Sequence, residues 1–295
     1  MHAIPSHVVD THCHVISSDN TRFPINTPTG GKQSDWSKER PVSDAGMMTA
    51  MKDAGVSKSV LVQASTCYGH DNSYVAQSVK HHPDAFLGVF SVDLVSPQSI
   101  EQVTHWMGLG MSGVRVFIAG HTAQDQTLRI DDSRADPLWE YVSSHHIPIC
   151  VQLRSWGLSA LASVLHRHPK LIVLLDHFAR PDLQGGTPYS DAQGLFDLAA
   201  FEGLHFKLTT HNIRDAQLGK ASPESFIQRV VNVFGASRIA WGSNFPACSG
   251  SLGEQLQESL AATQSLKSAD QDWIYSKTAH TLYPSLSQVI GLSQP

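Results

Sequence analysis

Two histidines one residue apart, His12 and His14, end an apolar run near the start of the chain. Alternation along a strand puts Asp10, His12 and His14 on one side, so two imidazoles can converge on one atom. A neutral imidazole can serve as base or metal ligand. A third histidine, His177, directly follows Asp176 at the end of another apolar run. Gln63, Arg115, Gln152, Arg154, Arg180, Lys207, His211 and Asn244 fall within, at the end of, or just beyond similar runs. In a chain with 17 histidines an HxH pair alone says little. Its weight comes from where it sits.

The elements that must position these residues follow from hydrophobic patterning. Short, β-branched apolar runs at 8–12, 59–64, 86–92, 113–117, 147–153, 171–176, 205–209 and 238–242 read as eight strands. Several are continuously apolar, as parallel strands buried on both faces are. Helix-like segments separate them at 43–54, 71–81, 97–107, 137–145, 158–168, 191–201 and 223–234. Ser43 reads as an N-cap, and Ser222-Pro223 places a cap before a proline at N1. Strict alternation of strand and helix predicts a parallel sheet, and eight units predict a closed (β/α)8 barrel in one domain over 1–295. No GxGxxG follows a strand and opens a helix, as the fingerprint of an open dinucleotide-binding sheet requires; the one match, Gly108–Gly113, precedes a strand instead. A long segment, 16–41, rich in Gly, Pro, Ser and Thr and carrying Trp36, is expected to be a structure-poor loop after the first strand. Such loops are commonly functional. A final helix at 268–282 is expected to pack outside the barrel.

In such barrels the active site lies at the C-terminal ends of the strands. Every expected strand but the third brings a polar or ionisable side chain there. The structural alternatives are definite. His12, His14 and His177 could be hydrogen-bonded core histidines. Arg115 could pair with an internal carboxylate, Arg180 could anchor its loop, and Asn244 could bridge loops.

Composition narrows the partners. A net charge of −5 with no cluster of Lys or Arg argues against nucleic acid or an anionic membrane. No run approaches a membrane span, and the first residues lack a signal-peptide pattern, so a cytoplasmic location is expected. Cys13, Cys67, Cys150 and Cys248 form no CxxC pair, which predicts free thiols rather than a disulfide framework or zinc site. The sequence sets no oligomeric state.

The motifs VDTHCH (from Val9), Arg22-Phe23-Pro24, VLVQAS with GHDN, GVRVF, LLDHFARP and WGSNFP occur in that order. Together they resemble the amidohydrolase superfamily, and within it the amidohydrolase 2 group, which includes pyrone-dicarboxylate hydrolases and sugar-acid lactonases. The resemblance implies a hydrolase acting at a carbonyl centre, most simply a lactone or similar activated ester of a small organic acid. It implies His12 and His14 as the first-strand pair, His177 as the sixth-strand histidine and Asn244 at the position of the usual water-activating aspartate. It implies Arg115, Arg180 and Lys207 as binders of an anionic substrate. Gln63, Gln152 and His211 would join them in lining the pocket.

Two departures shape the expectation. Arg115 and Gln152 stand where a bridging lysine or glutamate would sit, which argues against a two-metal centre. Asn244 cannot take a proton from water and is a poorer ligand than a carboxylate. A metal-free site is therefore favoured, with His12 and His14 polarising a carbonyl, His177 as general base and Asp10 fixing a histidine tautomer. One zinc or manganese ion on His12, His14 and His177 is the alternative. It would go with a metal-dependent decarboxylase or hydratase acting on an aromatic or muconate-like acid. A barrel that binds an acid without turnover is the third possibility.

Overall fold

The computed structural model describes residues 5, 7–27, 32–118 and 128–287. Its sheet runs in sequence order, β1 to β8, every adjacent pair parallel. The strands are β1 (Val8–Cys13), β2 (Val56–Val62), β3 (Phe86–Ser91), β4 (Gly113–Phe117), β5 (Ile149–Gln152), β6 (Val173–Leu175), β7 (Leu204–Thr209) and β8 (Ile239–Gly242). The expected runs for β5 and β6 are longer because apolar residues continue past the last ladder bond. Between β1 and β8 the sheet is nearly closed: Cys13 bridges Phe245, His14 N donates to Phe245 O at 2.9 Å, and Asn244 N donates to His12 O at 2.7 Å.

Helices surround the strands as (β/α)8 topology requires. Ser43 caps Asp44–Ala54 by accepting from Gly46 N. Pro223–Phe234 starts with a capping box at Ser222 and buries Phe226, Ile227, Val230 and Phe234 on one face, the spacing of an amphipathic helix. Burying each such side chain contributes about 1.5–3 kcal/mol. The expected helix at 191–201 is instead a chain of short helical turns, Ser190–Ala192, Gln193–Phe196 and Asp197–Ala200.

Three expectations need correction. The helix Leu252–Thr263 was not anticipated, although Ser251 and Glu254 form a reciprocal capping box at its start. The 16–41 segment contains a short helix, Asp35–Glu39, and Ile16 N donates to Val42 O at 2.7 Å, drawing its ends together; residues 28–31 of it lie outside the described residues. The C-terminal stretch does not stay outside the barrel. After Ser268–Asp272, Trp273–Lys277 and Thr278–Leu282, the chain turns inward. Ala279, Leu282, Tyr283 and Leu286 pack with Val9, Val60, Val89, Cys150 and Leu174 in the barrel interior. No helix among the described residues is long and apolar enough to cross a membrane. All four cysteines are buried and free.

Candidate active site

Inside the barrel, small residues make room for polar ones. A Cβ on Gly242 would lie 2.6 Å from His12 Cβ, so β8 needs glycine for β1 to present His12. Below His12 lies a fully buried ionic cluster. Lys207 Nζ is 2.9 Å from His12 Nδ1, 3.0 Å from Asp176 Oδ1 and 3.1 Å from Cys150 Sγ. Arg115 Nη2 lies 3.6 Å from Asp176 Oδ2, and its Nη1 donates to the Gln63 carbonyl. Burial works against ionising Asp176, but Lys207, then His12 and Arg115, outweigh it and hold its carboxyl well below the ordinary range. Burial likewise opposes the Lys207 ammonium, and Asp176 and Cys150 together more than compensate. The pair is therefore charged.

This cluster decides which proton His12 carries. An ammonium beside Nδ1 donates to it, which leaves the proton on Nε2. Nε2 is buried with no partner. Burial, aided by Lys207 and Arg115 and opposed by Asp176, brings the His12 pKa down to about 4. His14 and His177 have the opposite tautomer. His14 Nδ1 donates to Val62 O at 2.7 Å. Thr209 Oγ1 donates to Asn212 Oδ1 at 3.1 Å and so accepts from His177 Nδ1 at 2.8 Å. Each then offers a bare Nε2. Burial, reinforced by His12, keeps both pKa values well below the ordinary imidazole range. The ring centroids of His14 and His177 lie 4.9 and 5.0 Å from that of His12.

The backbone carrying His177 is unusual. His177, Phe178, Ala179 and Arg180 all have positive φ, 55°, 50°, 58° and 47°. Non-glycine residues pay about 1–2 kcal/mol each in that region, so the surroundings must impose it. Asn212 Nδ2 holds the His177 carbonyl at 2.7 Å. Phe178 stacks on Phe206 at 5.1 Å, and Arg180 makes two bonds to Asp215, at 2.9 and 2.8 Å.

Above the histidines is a cavity of about 540 Å³ lined by His14, Trp36, Arg115, Gln152, Arg154, His177, His211 and Asn244 among others. Trp36 stacks on His14 with centroids 5.3 Å apart. Arg40 ties the same loop to the β8 loop through the carbonyls of Pro246 and Ala247. His211 meets His177 edge-on at 5.1 Å; burial, with Arg180, brings its pKa down to about 4. Asn244 adopts φ 61° and donates its amide to Cys248 Sγ at 3.4 Å.

The expected site residues thus separate into two groups. His14, Arg115, Gln152, His177, His211 and Asn244 line one cavity, with His12 directly beneath. Gln63, Arg180 and Lys207 are engaged elsewhere. Gln63 donates its amide to the carbonyls of Gly69 and Asp71, at 3.2 and 2.8 Å, Arg180 is bound to Asp215, and Lys207 is sealed under His12. Asp10 does not touch an imidazole. It accepts from the backbone of His12 and Ser243, each at 2.9 Å, and from Ser243 Oγ at 2.5 Å, lacing β1 to β8. Arg154, named from sequence at the end of β5 but given no binding role, lines the cavity; sequence reasoning missed Thr209 and Asn212 as the groups that orient His177. The Thr-x-x-Asn spacing was the available signal: it closes a capping box at Thr210–Asp215.

A metal was expected, if at all, on His12, His14 and His177. Among the described residues the donors that come within 4.8 Å of one another are instead those of His12, Asp176 and His177. His14 lies outside that set, its Nδ1 bonded to the Val62 carbonyl and its Nε2 bare. His12 Nε2 has no hydrogen-bond partner among the described residues, so His12, Asp176 and His177 would hold a divalent ion, with Lys207, about 3 Å from His12 Nδ1 and Asp176 Oδ1, competing for the carboxylate.

Comparison with known proteins agrees with this architecture. The stretch matching L-fucono-1,5-lactonase of Burkholderia ambifaria is 29% identical over 120 residues, 40% of this chain and 41% of that protein's length. A Pseudomonas putida structure described as a 2-pyrone-4,6-dicarboxylic acid hydrolase superposes with a TM-score of 0.76 at 19% identity, covering 97% of this chain and 100% of that one. A zinc-bound amidohydrolase from Burkholderia multivorans gives 0.74 at 21%, covering 94% and 99%. At these identities the structural matches establish the fold alone. The family profile described as Amidohydrolase matches residues 9–285, nearly the whole barrel, and the chain belongs to that family.

Proposed function

We propose that this chain is a hydrolase that opens a lactone, or a similarly activated ester, of a small organic acid by attack of water. The observation that carries this reading is the set of partners at the three Nδ1 atoms, Lys207 for His12, the Val62 carbonyl for His14 and Thr209 for His177, from which opposed tautomers follow. His12 presents an N–H to the centre of the site, while His14 and His177 present lone pairs. His12 Nε2–H donates to the carbonyl oxygen and to the oxyanion that forms from it. His177 Nε2 accepts a proton from the attacking water, and His14 accepts a second hydrogen bond from the same water or from a substrate hydroxyl. Asn244 orients the water or donates to the intermediate. Burial makes His177 a weaker base than the ordinary histidine expected from sequence, which suits an activated ester better than an amide. The L-fucono-1,5-lactonase match supports a lactone.

The reaction on this reading requires no metal, because Lys207 supplies the fixed positive charge behind His12. Metal content of the purified protein, measured with lactone turnover in the presence and absence of chelator, tests it. Turnover that survives chelation at substoichiometric metal is the expected result. One metal per chain with activity lost to chelator would overturn the mechanism and favour the metal-dependent lyase. Tight binding without turnover across a broad lactone panel would favour an acid-binding barrel.

A further inference from the structure

The expected substrate-binding cations, Arg115, Arg180 and Lys207, all have internal partners: Asp176 for Arg115 and Lys207, Asp215 for Arg180. Arg214, farther along the β7 loop, is likewise bound to Glu258 at 2.8 Å. Arg154 is different. It follows β5 directly, lines the cavity and is about half-buried. Among the described residues its guanidinium donates to no carboxylate or carbonyl. The nearby charges are Arg180 and Asp215, and Asp215 already takes both bonds from Arg180. One positive charge is therefore left uncompensated beside His211 and His177. Burial and the Arg180 charge both press on Arg154, so an anion that forks onto it relieves a cost already present in the free protein. Lys32 also touches the cavity, but it is exposed on the β1 loop and well hydrated there. Deeper in, Asp176 balances one of the two cations that face it, and Gln152 contributes an unpaired amide oxygen.

We infer that Arg154 is the substrate-binding residue for charge, and that the substrate is a lactone with a single carboxylate. This rests on the lactone-hydrolase reading and narrows it. A neutral sugar lactone leaves the Arg154 guanidinium to water. A dicarboxylate brings a second charge that only Arg115 would meet, and that guanidinium is already bonded to the Gln63 carbonyl and 3.6 Å from Asp176.

The test compares D-glucono-1,4-lactone, its carboxylated counterpart D-glucaro-1,4-lactone, and 2-pyrone-4,6-dicarboxylate, using the full chain and its Arg154→Gln and Arg154→Lys variants. The wild type is expected to favour the carboxylated lactone over the neutral one by roughly 10- to 100-fold in kcat/KM, the range of one charge-assisted forked contact. Arg154→Gln is expected to remove that preference, with the loss on the carboxylated lactone carried mainly by KM. Arg154→Lys keeps part of it, since the charge remains and the fork is lost. Calorimetric titration of the same compounds separates the two levels of the argument. Arg154-dependent preference in binding without hydrolysis retires the lactonase reading and leaves Arg154 assigned. Hydrolysis with no preference for charge, or equal losses on both lactones in Arg154→Gln, overturns the assignment and leaves the lactonase. A stronger preference for the dicarboxylate overturns the single-carboxylate claim.

Discussion

Replacing Lys207 by Met tests whether the buried ion cluster supports both the fold and the site. In the native chain Asp176 is fully buried and its nearest cationic nitrogen is Lys207 Nζ at 3.0 Å. The variant leaves it the longer Arg115 pair, Nη2 at 3.6 Å, and His12 Nδ1 at 3.3 Å. Breaking a buried pair by removing one partner costs up to about 3–5 kcal/mol when the other charge is left poorly compensated. For a chain of 295 residues, at about 2.1 cal/mol/K of unfolding entropy each, that is a fall of up to about 5–8 °C in Tm. Equilibrium urea unfolding of Lys207→Met, Asp176→Asn and the double variant closes a double-mutant cycle. The double variant is expected to recover at least about half of the single loss, since no unpaired carboxylate remains. Turnover should be lost in the two variants that lack Lys207, because His12 then has no fixed tautomer. A single-variant loss below about 1 kcal/mol, or a coupling near zero, refutes the argument that Lys207 and Asp176 are an obligate charged pair.

Three further outcomes follow from the same geometry. Gly242→Ala places a Cβ within 2.6 Å of His12 Cβ, so His12 must shift; kcat should drop by about 100-fold or more, the scale on which an angstrom of misplacement acts, while circular dichroism still reports a folded barrel. Asn212→Ala removes the donor to the His177 carbonyl and the acceptor serving Thr209; a loss of about 2–3 kcal/mol in urea unfolding is expected, with kcat reduced more than KM is raised. Burial, with Arg238 adding to it, lowers the pKa of His205 in the folded state; the unfolded chain therefore binds the extra proton below about pH 6.5. Stability should fall as pH drops from that value toward the folded pKa, and His205→Gln should make the fall in urea midpoint between pH 7.5 and 5.5 shallower, the remainder coming from His12, His14, His177 and His211.

The barrel was legible because its strands are short apolar runs with little else to be, and because the polar residues at their ends point one way. His12, His14 and His177 came with it. Which cations are free was not legible. Arg180 and Arg154 look alike in sequence, and only the fold brings Asp215 to one of them and not the other. The same holds for Lys207: one residue of strand phase separates a side chain at the mouth from one sealed beneath His12. The left-handed turn at His177–Arg180 has no glycine to announce it, since it is imposed by Asn212, Phe206 and Asp215 from neighbouring elements. Leu252–Thr263 was readable from its capping box and was passed over because the loop after β8 holds Gly and Ser.

The lacing of β1 to β8 has a consequence for how the enzyme is made. His12 and Asn244 are joined by a backbone hydrogen bond, and Asp10 grips Ser243, so the first and last strands meet at the catalytic centre. Contacts separated by over 230 residues form only after loop closure across the whole barrel. During synthesis no nascent intermediate short of β8 can hold a competent centre, and the chain passes through translation catalytically silent. Amide exchange at His14 and Asn244, whose N–H groups bond across this seam, reads whether it opens locally, ahead of global unfolding.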